Sequence, residues 1–289
     1  MTDDIDALNA EIVSATRTLS DTYAAKFDGD PEGELGAWLH VAARREAMVS
    51  NVYCAARRRY RLPEPHVPAG VVAMEALTLI WQHEAVHTEF IEVRLTDGVL
   101  KGRALSADLM IWLGAVEGDL LSALTSRPGP RRFFAELAIR VGALVTPAQV
   151  PAFTRALTPL DLRGFFLLCA ALETTARESY ARMEKLTDAL IGSRTGDVAR
   201  SLQLENLSRE LRLKTLDETF HEQAFLEMAG WVVNGQLDPT LTERACADRL
   251  ATHLPRGAKS IHDPNIAHVI THGGLSSLFE ARGLSIVVQ

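Results

Sequence analysis

Asp217-Glu218-Thr219-Phe220-His221 lies within residues 198–234, a stretch whose apolar positions recur at helical spacing. On an α-helix, side chains three residues apart share a face, so Glu218 and His221 aim a carboxylate and an imidazole at one point. The same arrangement occurs earlier as Glu84-Ala85-Val86-His87, inside a helical pattern over 69–96. Each pair follows another helical stretch that carries a glutamate in apolar surroundings. Glu46 lies 38 residues before Glu84, and Glu173 lies 45 before Glu218. Residues one or two turns away confirm the inward setting. They include Leu39, Ala42, Val49 and Tyr53 around Glu46, and Leu77, Ile80 and Ile91 around Glu84. Around Glu173 they include Phe166, Cys169, Ala170 and Tyr180; around Glu218, Leu211 and Phe225, with Lys214 as the exception. An unpaired buried carboxylate costs roughly several kcal/mol or takes up a proton. A bound cation offsets that cost, so four helices each turning an acid inward imply metal.

Working outward, the remaining chain also reads as helix. Hydrophobic residues make up 47% and aromatics only 6%, a balance rich in Ala and Leu that favours packed helices over sheets. Further helices are expected over about 3–27, 33–61, 105–126, 131–144, 147–157 and 159–191. Asp238-Pro239 opens a last helix to about 253, and one helical turn is expected at 274–282. Thr146-Pro147 and Thr158-Pro159 read as a cap followed by proline at the first helical position. No strand is expected. No shift in composition divides the 289 residues, so one domain is expected, with the metal-binding bundle at about 33–234 and a C-terminal helix and tail at 235–289.

The net charge of −7 argues against a general nucleic-acid binder, which needs surplus cations to displace counterions. The basic run Arg57-Arg58-Arg59-Tyr60-Arg61 reads as a solvated helix end, where cations complement the dipole. Cys54, Cys169 and Cys246 are widely spaced and form no CxxC pair, which suits a reducing compartment. The acidic start Met1-Thr2-Asp3-Asp4 lacks a secretory segment, and no stretch is apolar for long enough to cross a bilayer. A soluble cytoplasmic protein is the expectation.

Four carboxylates and two imidazoles are the ligand set of helical bundles that hold two iron or manganese ions, with one Glu from each of two helices and Glu-x-x-His from the other two. The order Glu46, Glu84 with His87, Glu173, Glu218 with His221 resembles the ferritin-like di-iron carboxylate superfamily over roughly residues 33–234. Asp217 sharpens the likeness, because Asp-Glu-x-x-His is common among the oxygen-activating members. There the aspartate accepts a hydrogen bond from a ligand imidazole and fixes its tautomer. By that analogy Asp217 is assigned to His87. The corresponding position before Glu84 is His83, a departure that leaves the partner of His221 unassigned. The resemblance implies an all-α, ferritin-like four-helix bundle with additional helices, holding two Fe ions (or an Mn/Fe pair) and using O2 on a small organic substrate. It further implies electrons from an external donor, since no rubredoxin-like cysteine pairs are present, and a homodimer as in relatives. Arylamine N-oxygenases of the superfamily carry an added histidine where this chain has Lys214, which argues against that subgroup.

Other readings compete. His83-Glu84-Ala85-Val86-His87 is a literal HExxH, the zinc metalloprotease motif, but that reading leaves Glu46, Glu173, Glu218 and His221 without a role. An iron-handling ferroxidase of the ferritin type is another; storage cages use shorter bundles than this chain. A non-catalytic helical interaction protein is the third. Glu117 and Glu178 rival Glu173 as the third helix's ligand, and Glu173 is preferred because Glu178 has a wet face and no Glu-x-x-His follows Glu117 on the next long helix. Glu89, Glu92 and Glu222 are expected at the surface or beside the site. Arg177 is placed either against Glu173 or in solvent. Tyr53 and Tyr180 are expected to be packed aromatics with satisfied hydroxyls, the alternative being electron transfer near the metals as the resemblance allows. Phe165, Phe166, Leu168, Trp81 and Phe225 are candidates for a substrate pocket, although core packing suits most of them. His262, His268 and His272 are assigned to a surface loop.

Overall fold

The computed structural model describes residues 10, 14, 17–60, 67–96, 161–193 and 197–253, without some side chains in the second and third helices. The expected helices at 105–126, 131–144 and 147–157, Glu117, the turn at 274–282 and the tail histidines lie outside these residues, as do the side chains of Cys54, Glu92 and the arginines of the basic run. The described chain is mostly helical. Helix α1 covers 17–26, α2 Pro31–Arg59, α3 Pro68–Thr96, α4 Leu162–Gly192, α5 Val198–Gly230 and α6 Glu243–Ala251.

Side-chain caps set the helix starts. Asp161 accepts from Gly164 N at 2.7 Å, Asp197 from Arg200 N at 3.1 Å and Thr242 from Ala245 N at 3.2 Å, each satisfying an amide that the first turn leaves unpaired. Asp30 does the same for Gly33 N at 3.0 Å before α2, whose first turn also carries Glu32 and Glu34. Pro68 begins α3, where its missing N–H costs nothing.

Two expectations are corrected. Helix α5 ends at Gly230 and is followed by a small antiparallel hairpin, β1 Val232–Val233 paired with β2 Gln236–Leu237. Its turn is Asn234-Gly235, with φ of 53° and 80°, a dipeptide suited to the left-handed conformations of a tight hairpin. Asp238-Pro239 does not open the last helix. Asp238 Oδ1 instead accepts from Thr240 N and Oγ1, closing a turn, and Thr242 starts α6.

Helices α4 and α5 form the most extensive pairing; α2 packs on α3 and also on α4, while α3 touches α5 and α6. Two apolar clusters result. One gathers Tyr53, Ile80, Phe165, Phe166, Phe225 and Trp231, and the other Tyr23, Trp38, Ile91, Tyr180, Met183 and Leu211. On each of α2 to α5, the residues of one cluster precede the acid-bearing positions and those of the other follow them. The polar band is therefore held mid-helix. Among the described residues, no helix is long and apolar enough to cross a membrane.

Candidate metal centre

Glu46 of α2, Glu84 and His87 of α3, Glu173 of α4, and Glu218 and His221 of α5 meet in this band, each at most 3% exposed. They form two overlapping groups, Glu46, Glu84, His87 and Glu218, and Glu84, Glu173, Glu218 and His221. Within each, one ligand atom per residue lies within 4.8 Å of the others. Glu84 and Glu218 belong to both. Each of these two turns one oxygen toward each imidazole. Glu218 Oε1 is 3.0 Å from His87 Nδ1 and its Oε2 is 3.3 Å from His221 Nδ1. Glu84 Oε1 is 3.0 Å from His221 Nδ1 and its Oε2 is 3.8 Å from His87 Nδ1. Glu46 Oε2 lies 3.6 Å from His87 Nδ1, and Glu173 Oε2 lies 3.5 Å from His221 Nδ1.

Among these contacts His221 Nδ1 and Glu218 Oε2 make a hydrogen bond, but the others leave polar atoms unsatisfied. Glu84 Oε1, His87 Nδ1 and Glu218 Oε1 are buried without a hydrogen-bond partner, despite the 3.0 Å approaches. Buried polar atoms are otherwise almost always paired. Lone pairs that converge without aligned donors are what a cation requires, and carboxylates with one imidazole per group are a metal-ligating donor set. The residues could hold metal ions.

Charge leads to the same conclusion. Burial pushes the Glu84 carboxyl well above its usual range, and Glu46, Glu218 and Glu173 add to the shift. Burial and the Glu218 charge raise Glu173 to about 8, against the pull of His221. Burial would raise Glu218 too, but His221 and His87 outweigh it and hold that group low. Burial disfavours a charged His87, yet the hydrogen bond of its Nε2 with Asp217 and the close Glu218 and Glu46 carboxylates raise it; His221 is raised to about 9, against burial, by Glu218 and Glu173. Taken by themselves, these side chains retain protons at neutral pH that a divalent cation would displace.

A second layer of contacts fixes these side chains. His87 Nε2 lies 3.2 Å from Asp217 Oδ2, and His221 Nε2 lies 2.9 Å from His83 Nδ1. Burial lowers His83 to about 3, with His221, His87 and Lys214 lowering it further against Asp217. It is neutral and able to accept. Asp217, which burial alone would raise, is lowered to about 2 by His83, His87 and Lys214. The Tyr180 hydroxyl donates to Glu46 Oε1 at 2.8 Å, and the Tyr53 hydroxyl donates to Glu173. Burial raises both phenols, with the neighbouring carboxylates adding to it, so both stay protonated.

The partnership of His83 with His221 is absent from the sequence reading. Its only signal is position, since His83 precedes Glu84 as Asp217 precedes Glu218. Arg177 pairs with Glu222, not with Glu173. Lys214 is buried, its ammonium 5.5 Å from the Phe90 ring centre. Glu178 is partly exposed and lies 3.4 Å from Arg17, and Glu89 is exposed. Phe165, Phe166, Leu168 and Phe225 are packed into the apolar core with Trp81 against it, and Cys169 is buried there too. The HExxH histidines do not share a ligand group. His83 faces His221, His87 Nδ1 faces carboxylates, and among the described residues no candidate group contains His83.

Comparison of the chain with protein-family models, with curated proteins and with solved structures finds no match. On its own geometry, this is a mostly helical protein with a buried carboxylate and histidine cluster that could hold metal ions.

Proposed function

We propose that the chain is a ferritin-like dinuclear metal protein acting as an oxidase or oxygenase, with two Fe ions or an Mn/Fe pair and O2 on a small organic substrate. The observation that carries this reading is the pair of shared carboxylates, Glu84 and Glu218, each turned toward both imidazoles. Carboxylates shared in this way would suit two adjacent cations better than one. Glu46 and His87 would complete one position, and Glu173 and His221 the other. When bound, the metal pair supplies the electrons that reduce dioxygen.

The chain's own residues supply the setting. Tyr180 and Tyr53 orient the two unshared carboxylates, and Asp217 and His83 hold the imidazoles with Nδ1 turned inward. The apolar clusters on both sides exclude water. Electrons for repeated turnover would come from a separate donor protein or reductant.

The test is metal content per chain of protein purified without added metal, followed by anaerobic Fe2+ titration and optical detection after oxygen exposure. Two irons per chain and a new absorption on oxygen exposure are expected, and Glu173→Ala should lose one ion. Less than one ion per chain, unchanged by that substitution, would overturn the proposal. Oxidation of iron with no turnover of any organic substrate would mark iron handling instead.

A further inference from the structure

The two halves of the centre are matched in almost every respect. Each has one unshared glutamate, one histidine with Nδ1 turned toward the carboxylates, the same two shared carboxylates and a tyrosine hydroxyl on the unshared glutamate. They differ in what the outer nitrogen of each histidine meets. His87 Nε2 meets the Asp217 carboxylate at 3.2 Å, and His221 Nε2 meets the His83 imidazole at 2.9 Å.

A histidine that presents Nδ1 to a cation must carry its proton on Nε2. The group accepting that proton tunes the ligand. A carboxylate forms a charge-assisted bond and makes the imidazole a stronger donor to metal, whereas a neutral imidazole acceptor polarises it much less. Asp217 also adds a negative charge close to His87. Lys214, buried on the same helix, offsets part of that charge but leaves the short-range hydrogen bond in place.

We infer that the two metal positions are unequal, with Glu46 and His87 forming the tight position and Glu173 and His221 the weak one, and that Asp217 and His83 are the positioning residues that set the difference. This rests on the dinuclear reading above. Such a centre loads stepwise and can hold two different metals in fixed places.

The probe is Co2+, titrated anaerobically into the full chain and followed by absorbance and calorimetry. Wild type is expected to bind two ions in separate steps. Mutual repulsion of neighbouring cations alone also separates two steps, so the deciding quantity is how substitutions move their ratio. His83→Asp should tighten the weak step by roughly 10- to 100-fold and narrow the ratio. Asp217→His should weaken the tight step by a similar factor. The double exchange, which keeps the composition, should reverse the filling order. Glu46→Ala and Glu173→Ala identify the steps, since the first should remove the tight one and the second the weak one. An unchanged ratio in both single exchanges would overturn the inference while leaving the dinuclear reading intact. If His83→Asp fails to fold, Asp217→His and the double exchange still decide. Failure of wild type to bind Co2+ would overturn the dinuclear reading itself.

Discussion

The Tyr180 hydroxyl on α4 donates to Glu46 Oε1 on α2 across 2.8 Å, and Tyr180 lies two turns beyond Glu173, the counterpart of Glu46. The relationship is crossed. Tyr53 lies two turns beyond Glu46 and donates to Glu173. Each phenol therefore locks the carboxylate of the opposite helix and ties α2 to α4 through the centre. A buried hydrogen bond to a charged group contributes about 1.5–3 kcal/mol. Tyr180→Phe should weaken metal binding by about tenfold or more with the helical circular dichroism retained, measured by Co2+ titration. Tyr53→Phe should behave alike.

Shared and unshared ligands should respond differently to removal. Glu218 serves both groups, so Glu218→Ala should reduce metal content from two ions to below one per chain. Glu46 serves one group only, so Glu46→Ala should leave about one ion. Emission spectrometry of the purified variants gives the count. Equal losses in the two variants would contradict the bridging arrangement.

The pH dependence follows from the protons the cluster retains. Glu173 is raised from 4.5 to about 8, so its contribution favours the metal-free fold below 4.5 and is lost as pH rises through 8. His221, raised from 6.5 to about 9, contributes stability that is complete below 6.5 and is lost as pH rises through 9. Glu84 and His87 are raised as well and act in the same sense. The metal-free protein should therefore melt at progressively lower temperature from pH 6.5 to 9, and bound metal should flatten that decline. Calorimetry in buffers of different ionisation enthalpy should show at least one proton released per chain on metal binding.

Gly235 adopts φ of 80° with open space where a Cβ would stand, so Gly235→Ala meets backbone strain and no clash. A cost of about 1–2 kcal/mol is expected from the left-handed conformation. Thermal melting should register it while metal content stays the same, because the hairpin follows α5 outside the polar band.

Helical periodicity places Glu46, Glu84, His87, Glu173, Glu218 and His221 on inward faces, and all six are buried. Spacing along one helix is a local property and is legible from the chain. Contacts between helices are not, and the one anticipated, Asp217 with His87 at 3.2 Å, comes from the resemblance and not from spacing. The approach of His83 to His221 depends on how α3 and α5 are rotated and offset, which no spacing within either helix specifies. The crossed tyrosines are hidden for the same reason, and so is the choice of Arg177 between Glu173 and Glu222. The hairpin at Asn234-Gly235 is a different kind of miss. Its turn signal is plain, but the flanking strands are two residues each and merge with the apolar pattern of α5. Lys214 is a further case that helix spacing leaves open, a cation buried over Phe90.

Placing the acids midway along four helices, with greasy layers above and below, should invert the usual pattern of fraying in the metal-free chain. Helices ordinarily loosen at their ends and hold in their centres. Stripped of cations, this chain should exchange amide hydrogens fastest near Glu46, Glu84, Glu173 and Glu218, with protected stretches on both sides. Loading metal should silence that central zone, so deuterium uptake would map the ions' footprint without any assay of turnover.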